Sequence, residues 1–154
     1  MNDIRTLITA AAIGLFANIA EAAPALPSPA GGTPIEGEAV YKAFNGREGI
    51  ARIMEDFVPR IVADPRIGHR FKATNLERLK LMLTTQVCYL VGGPCTYEGR
   101  DMDEVHQGLN LTNADFNALA EDLQISMDKE KVPFAAQNRL LTKLAPMQRV
   151  IVDK

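Results

Sequence analysis

The stretch RDMDEVHQGLNL, residues 100–111, sets one of the chain's two histidines inside a short helical pattern. Met102, Val105 and Leu109 recur at helical spacing, and His106, four residues after Met102 and three before Leu109, falls on the same apolar edge. An imidazole aimed at a core has two uses. It donates an N–H to a backbone carbonyl and serves packing alone, or it also offers its second nitrogen to a metal. The other histidine, His69, lies in a loop beside Arg70 and two residues before Phe71, with no apolar stripe to hold it, and reads as a surface residue. Cys88 and Cys95 flank a Gly-Gly-Pro corner at residues 92–94. Seven apart across a sharp reversal, they either pair in an oxidising compartment or remain two buried thiols.

The elements that must position these groups are helical. Ile50, Ile53, Met54, Phe57, Val58, Ile61 and Val62 form one apolar stripe that Pro65 closes, and Pro59 inside it predicts a bend near Glu55, the carbonyl that loses its donor. The stripe resumes at Leu76, Leu79, Leu83, Val87 and Leu90, and the GGP corner ends it. Thr112 caps a further helix, with Asp115 three residues on and Phe116, Leu119, Ala120, Leu123 and Met127 on its inner face. Pro133 is placed to start the last helix, carrying Leu140, Leu141, Leu144, Met147 and Ile151, with a kink at Pro146. No stretch alternates with the period of a strand, and the fold class is all-α.

At 154 residues and 47% hydrophobic composition the chain supports one domain with a real core. Residues 1–22 read as an export signal: Arg5 near the start, an apolar stretch from Leu7 to Ile19, and Ala20 and Ala22 framing a cleavage point before Ala23. An uncleaved membrane anchor is the alternative, because Asp3 offsets Arg5, although the apolar stretch is short for a span. Residues 23–39, rich in Pro and Gly, read as a flexible tether, and residues 40–154 as the folded domain. Removing residues 1–22 takes the net charge from −2 to −1. A nearly neutral chain without a basic stripe is a poor nucleic-acid binder, and it has no membrane-seeking basic helix in its mature form.

Helices of this kind, a GGP corner and YEGRDM leading to a lone inward histidine resemble the group I truncated hemoglobins. The likeness runs from Val40 to Val152. GGPCTYEGRDMDEVHQGL, residues 92–109, carries most of it, supported by NGREGI, FVPRIVADPRI, FKATNLERLK and LAP. The resemblance implies a two-over-two helical sandwich around a b-type heme, with His106 as the proximal iron ligand. It also implies that Phe71 wedges the heme and that Thr74, Arg78, Tyr97 and Arg100 meet the propionates, whose charge calls for cationic and hydroxyl donors. For the two arginines an ordinary solvated charge is the other reading.

The distal side departs from the family pattern. Where relatives usually carry a tyrosine in the first long helix, this chain has Val58, and the matching positions of the next helix read Leu79, Met82 and Leu83. Gln86, one turn later, is the only amide near that face. Such a pocket is mostly apolar, which argues against tight oxygen retention and tilts toward CO and NO. Met147 and Gln148 occupy the region of the family's optional heme-linking histidine, so the heme is expected to be non-covalent. The sequence thus points to an exported, periplasmic protein that binds O2, NO or CO reversibly and has no catalytic residue. The alternative is a heme enzyme, a nitric oxide dioxygenase or weak peroxidase, fed by an external electron donor. A helical interaction module without heme is the third reading, and the matched rim residues speak against it.

Overall fold

The computed structural model describes residues 28–152. A short helix α1 (Ala39–Ala43) leads through Asn45 and Gly46, both at positive φ, into α2 (Gly46–Ala63). Glycine is required at position 49, where a Cβ would collide with the Phe44 carbonyl oxygen at this tight entry. Of the predicted stripe, Ile50, Ile53, Met54, Phe57, Val58 and Ile61 are buried. Val62 is not: it sits too far round the helix from Phe57 and is 39% exposed. At Pro59, where a bend was expected, the helix runs on for a further turn to Ala63, with the proline ring exposed.

A 3-10 turn (Gly68–Phe71) connects to α3 (Leu76–Leu90), whose first turn is capped by Asn75 Oδ1 accepting from the Arg78 backbone N–H at 2.9 Å. Beyond the GGP corner comes α4 (Met102–His106), a single turn capped by Asp101, which accepts from the Asp103 N–H. Helix α5 (Asn113–Lys129) opens with a complete capping box between Thr112 and Asp115, as the spacing predicts. Pro133 starts α6 (Phe134–Leu144). The kink at Pro146 takes the form of a 3-10 turn (Ala145–Met147), after which α7 (Gln148–Ile151) finishes the described chain.

Helix α2 packs on both α3 and α5, α5 on α6, and α6 on α3. The result is the two-over-two sandwich of helices, with Phe44, Phe57, Met54, Ile61, Leu90, Met127 and Leu140 enclosed between them. Among the described residues the only β pairing is an isolated bridge between Leu111 and Val152, and no helix is long and apolar enough to cross a membrane.

The Pro/Gly-rich segment is not a free tether over its described part. Ala30 and Ile35 are buried, the Ile35 N–H donates to the Leu90 carbonyl at 2.9 Å, and Lys143 Nζ reaches Thr33 Oγ1 at 3.5 Å. Gly92, at φ +83, lets the corner after α3 pass beneath the Ile35 and Gly37 carbonyls, where any side chain would clash. Composition suggested disorder because the segment has so few apolar side chains. The two that it buries, and its backbone donors and acceptors, are enough to dock it as a strap. The expected cleavage point and the export signal lie outside the described residues.

Candidate functional site

His106 closes the single turn of α4, half-buried, and its Nδ1 lies 2.7 Å from the Met102 carbonyl oxygen. A carbonyl can only accept, so Nδ1 carries a hydrogen, and in the neutral ring the lone pair falls to Nε2. That is the oriented neutral imidazole a metal needs. The helix ends there because Gln107 turns extended and Gly108 and Asn110 adopt positive φ. Leu109, expected on the inner edge, is therefore beyond the helix and 48% exposed.

A one-turn helix has too few internal hydrogen bonds to hold a geometry, so its surroundings must do so. On the C-terminal side, Arg70 donates to the Leu109 carbonyl at 3.0 Å, to the Asn110 carbonyl at 3.4 Å, and to Asp115 Oδ2 at 3.0 Å. This ties the turn after His106 to the capping box of α5. Backbone and hydroxyl donors of Thr112, followed by Arg70, hold the Asp115 carboxyl below its ordinary range. Sequence reasoning passed over Arg70, since a guanidinium that binds backbone carbonyls leaves no periodic trace. His69, by contrast, is exposed, as expected.

The residues that the sequence assigned to the ligand side lie on α2 and α3. Val58 is fully buried on α2, while Leu79 and Leu83 share a face of α3 with Leu76 and are each half-buried. Phe71, Tyr97, Val105 and Leu119 are likewise half-buried and packed against the edge of the core. The ring of Phe71, expected to wedge the heme, is only partly covered by protein. Met82 opens instead onto a surface groove that it shares with Leu81, Thr85, Pro94, Cys95 and Thr96.

Gln86 corrects the sequence reading of the distal side. Its side chain is buried, and Nε2 donates to the Ala30 carbonyl at 2.9 Å and contacts Met102 Sδ at 3.2 Å. The amide is spent on the strap and on the start of α4, which leaves it no free donor. Its polar group among apolar neighbours on the stripe was the available signal, but nothing local identifies a partner 56 residues away.

At the rim, Thr74, Arg78 and Arg100 are exposed. Tyr97 is half-buried, and its hydroxyl donates to the Arg100 carbonyl at 3.3 Å; burial, with the nearby Asp101 charge, pushes that phenol up. Arg100 comes only within 3.8 Å of Glu104, leaving its guanidinium and that of Arg78 as cationic donors at the surface. The Cys88–Cys95 pair is a disulfide, with Cα atoms 5.8 Å apart, so of the two readings left open the paired one holds.

These residues fit a heme. Among the described residues no three His, Cys, Asp or Glu side chains converge to hold a bare ion. One oriented imidazole is instead the donor set for a metal whose other ligands come from a macrocycle. Half-buried Phe71, Leu79 and Leu83 leave apolar surface for its ring, and the exposed guanidinium groups of Arg78 and Arg100 suit its carboxylates.

The comparisons with known proteins agree. The family model described as bacterial-like globin matches residues 39–153. The group 1 truncated hemoglobin of Tetrahymena pyriformis is 31% identical over 101 residues, covering 66% of this chain and 84% of that protein. Its counterpart from Mycolicibacterium paratuberculosis is 30% identical over 112 residues, covering 73% and 82%. The crystal structure of the T. pyriformis protein in its Fe(III) form superposes with a TM-score of 0.72 at 28% identity, covering 75% of this chain and 98% of that one. Fold, oriented imidazole and relatives converge: the chain belongs to the bacterial-like globin family, as a group 1 truncated hemoglobin whose cofactor is a non-covalent heme b.

Proposed function

We propose that His106 Nε2 is the proximal ligand of the heme iron and that the protein binds a diatomic gas, O2, NO or CO, reversibly on the opposite face. The observation that carries this reading is that His106 spends only Nδ1 on the protein, at 2.7 Å from the Met102 carbonyl, and leaves Nε2 without a protein hydrogen bond. Bound heme would supply an iron able to take up a diatomic gas. His106 would hold the iron, Leu79, Leu83 and Phe71, with Val58 buried behind them, would offer apolar surface to the macrocycle, and Arg78 and Arg100, with Thr74 and Tyr97, would meet the propionates.

The distal residues shape the selectivity. Val58, Leu79 and Leu83 carry no hydrogen-bond donor, and the Gln86 amide is committed elsewhere. Oxygen, which becomes polarised when bound, loses a bond worth roughly 1.5–3 kcal/mol, while CO and NO lose little. The enzymatic alternative needs either firmly held oxygen or a distal acid–base group, and these side chains provide neither. An external reductant is needed to keep the iron ferrous.

His106→Ala tests the assignment. The variant is expected to lose its heme on gel filtration, with the Soret band gone, because His69 is on the surface and cannot replace the axial bond. A variant that keeps a wild-type Soret band overturns it.

We further propose that the protein is exported, to the periplasm, after cleavage before Ala23. Support comes from the export-like residues 1–22 and from the Cys88–Cys95 disulfide, which suits an oxidising compartment. N-terminal sequencing of the protein from its native host should begin at Ala23; a chain beginning at Met1 contradicts cleavage.

A further inference from the structure

Three contacts on the proximal side connect end to end. The Ala30 carbonyl, fully enclosed in the strap before α1, accepts from Gln86 Nε2 on α3. The same Nε2 touches Met102 Sδ at 3.2 Å, on the first residue of α4. The Met102 carbonyl in turn accepts from His106 Nδ1. The strap lies outside residues 39–153, the part matched by the family model.

We propose that Gln86 is a positioning residue for the proximal imidazole, and that the strap around Ala30 acts through it to set the placement of His106. The proposal rests on the reading of His106 as the heme ligand.

The amide orientation is dictated by its partner: swapping oxygen for nitrogen would set two acceptors face to face at Ala30. Gln86 is 6% exposed and Met102 is 8% exposed, so neither contact is diluted by solvent. The strap end is held independently of Gln86. Gly31, at φ +86, packs directly under the Met147 side chain, and Ile35 is bonded to Leu90. A buried carboxamide on an otherwise apolar stripe is retained only if it is satisfied, and here the satisfying group belongs to the strap. Met102 has one anchor at its side chain and the imidazole at its carbonyl, so a shift of the first moves the second.

Two variants of the full chain, reconstituted with heme, test this. Gln86→Met keeps the side-chain length and removes the donor. Gly31→Ala leaves Gln86 intact and strains the strap at a positive φ. Each is expected to speed transfer of heme to excess apomyoglobin by about fivefold, the equivalent of one ordinary hydrogen bond. Each should also shift or broaden the iron–histidine stretching band of the ferrous protein. The double variant should do no more than either single one, because both cut the same connection. A loss of general stability alone would leave the iron–histidine band where it was. Wild-type heme transfer and an unshifted band in Gln86→Met, in a protein whose wild type shows a normal Soret band, overturn this inference and leave the heme reading standing. A wild type without a Soret band overturns both.

Discussion

The second ring nitrogen separates the two uses of His106. Donation from Nδ1 to Met102 is common to both, but only a histidine whose Nε2 is left without a protein partner can take a metal. In the proposed distal pocket, selectivity depends on what is missing from Val58, Leu79 and Leu83. Leu83→Gln is expected to slow oxygen release by about tenfold, one hydrogen bond to a polarised ligand, while CO release barely changes. Stopped-flow displacement of each gas measures it, and equal effects on both gases would contradict a donor-poor pocket. Leu83 is the better site than Val58 for restoring a donor. Val58 is fully buried, and a tyrosine forced in there costs roughly 1–3 kcal/mol in overpacking.

Helix α4 is a single turn and carries the proposed iron ligand, His106. Three restraints converge on its flanks: Arg70 on the turn that follows it, the strap through Gln86 on its first residue, and the Cys88–Cys95 bridge across the corner from which its lead-in departs. A cross-link closing so short a loop contributes about 2–3 kcal/mol by restricting the unfolded chain. Cys88→Ser with Cys95→Ser, or reduction by a dithiol, should lower the denaturation midpoint accordingly, with the far-UV helical signal retained. The free-energy difference comes from urea titrations of oxidised and reduced protein. A midpoint unchanged by reduction would show that the corner is held by packing alone.

At the scale of the whole molecule, the contact between α2 and α5 contributes to the response to acid. Asp56 accepts from Lys129, Arg60 and Ser126, and these donors, Lys129 foremost, hold its carboxyl far below the ordinary range. Its folded-state proton affinity is lower than in the unfolded chain. The stabilisation is therefore present above about pH 4 and lost as the pH falls below it. Asp122 is the reverse case. Burial, and the Asp64 carboxylate beside it, push its carboxyl up, and its Oδ2 has no hydrogen-bond partner. Its ionised form destabilises the fold above the raised value and contributes nothing once both states are protonated. Asp122→Asn is expected to raise Tm at pH 7 and to leave it unchanged at pH 3, whereas Asp56→Asn should lower Tm at pH 7 and flatten its fall toward pH 3. Calorimetry across that range checks both signs.

Most of the frame could be read from the chain because it rests on local chemistry. The stripe from Ile50 to Ile61, the Thr112–Asp115 box, the break at Pro146 and the edge bearing Met102 and His106 each follow from side-chain spacing within one or two turns. The group 1 truncated hemoglobin resemblance was legible for the same reason, since its motifs are short and ordered. Wherever a residue's role depended on a distant partner, local pattern failed. Gln86 looked like a distal donor until Ala30, 56 residues earlier, took its amide. Residues 30–37 looked like a tether until Leu90 and Gln86 satisfied their backbone. Arg70 had no visible purpose before Leu109, Asn110 and Asp115 came within reach. Periodicity records which way a side chain faces along its own helix. Which polar group meets it across the fold is set by how the helices pack, and at that level a strap, a guanidinium and an amide become the support of one histidine.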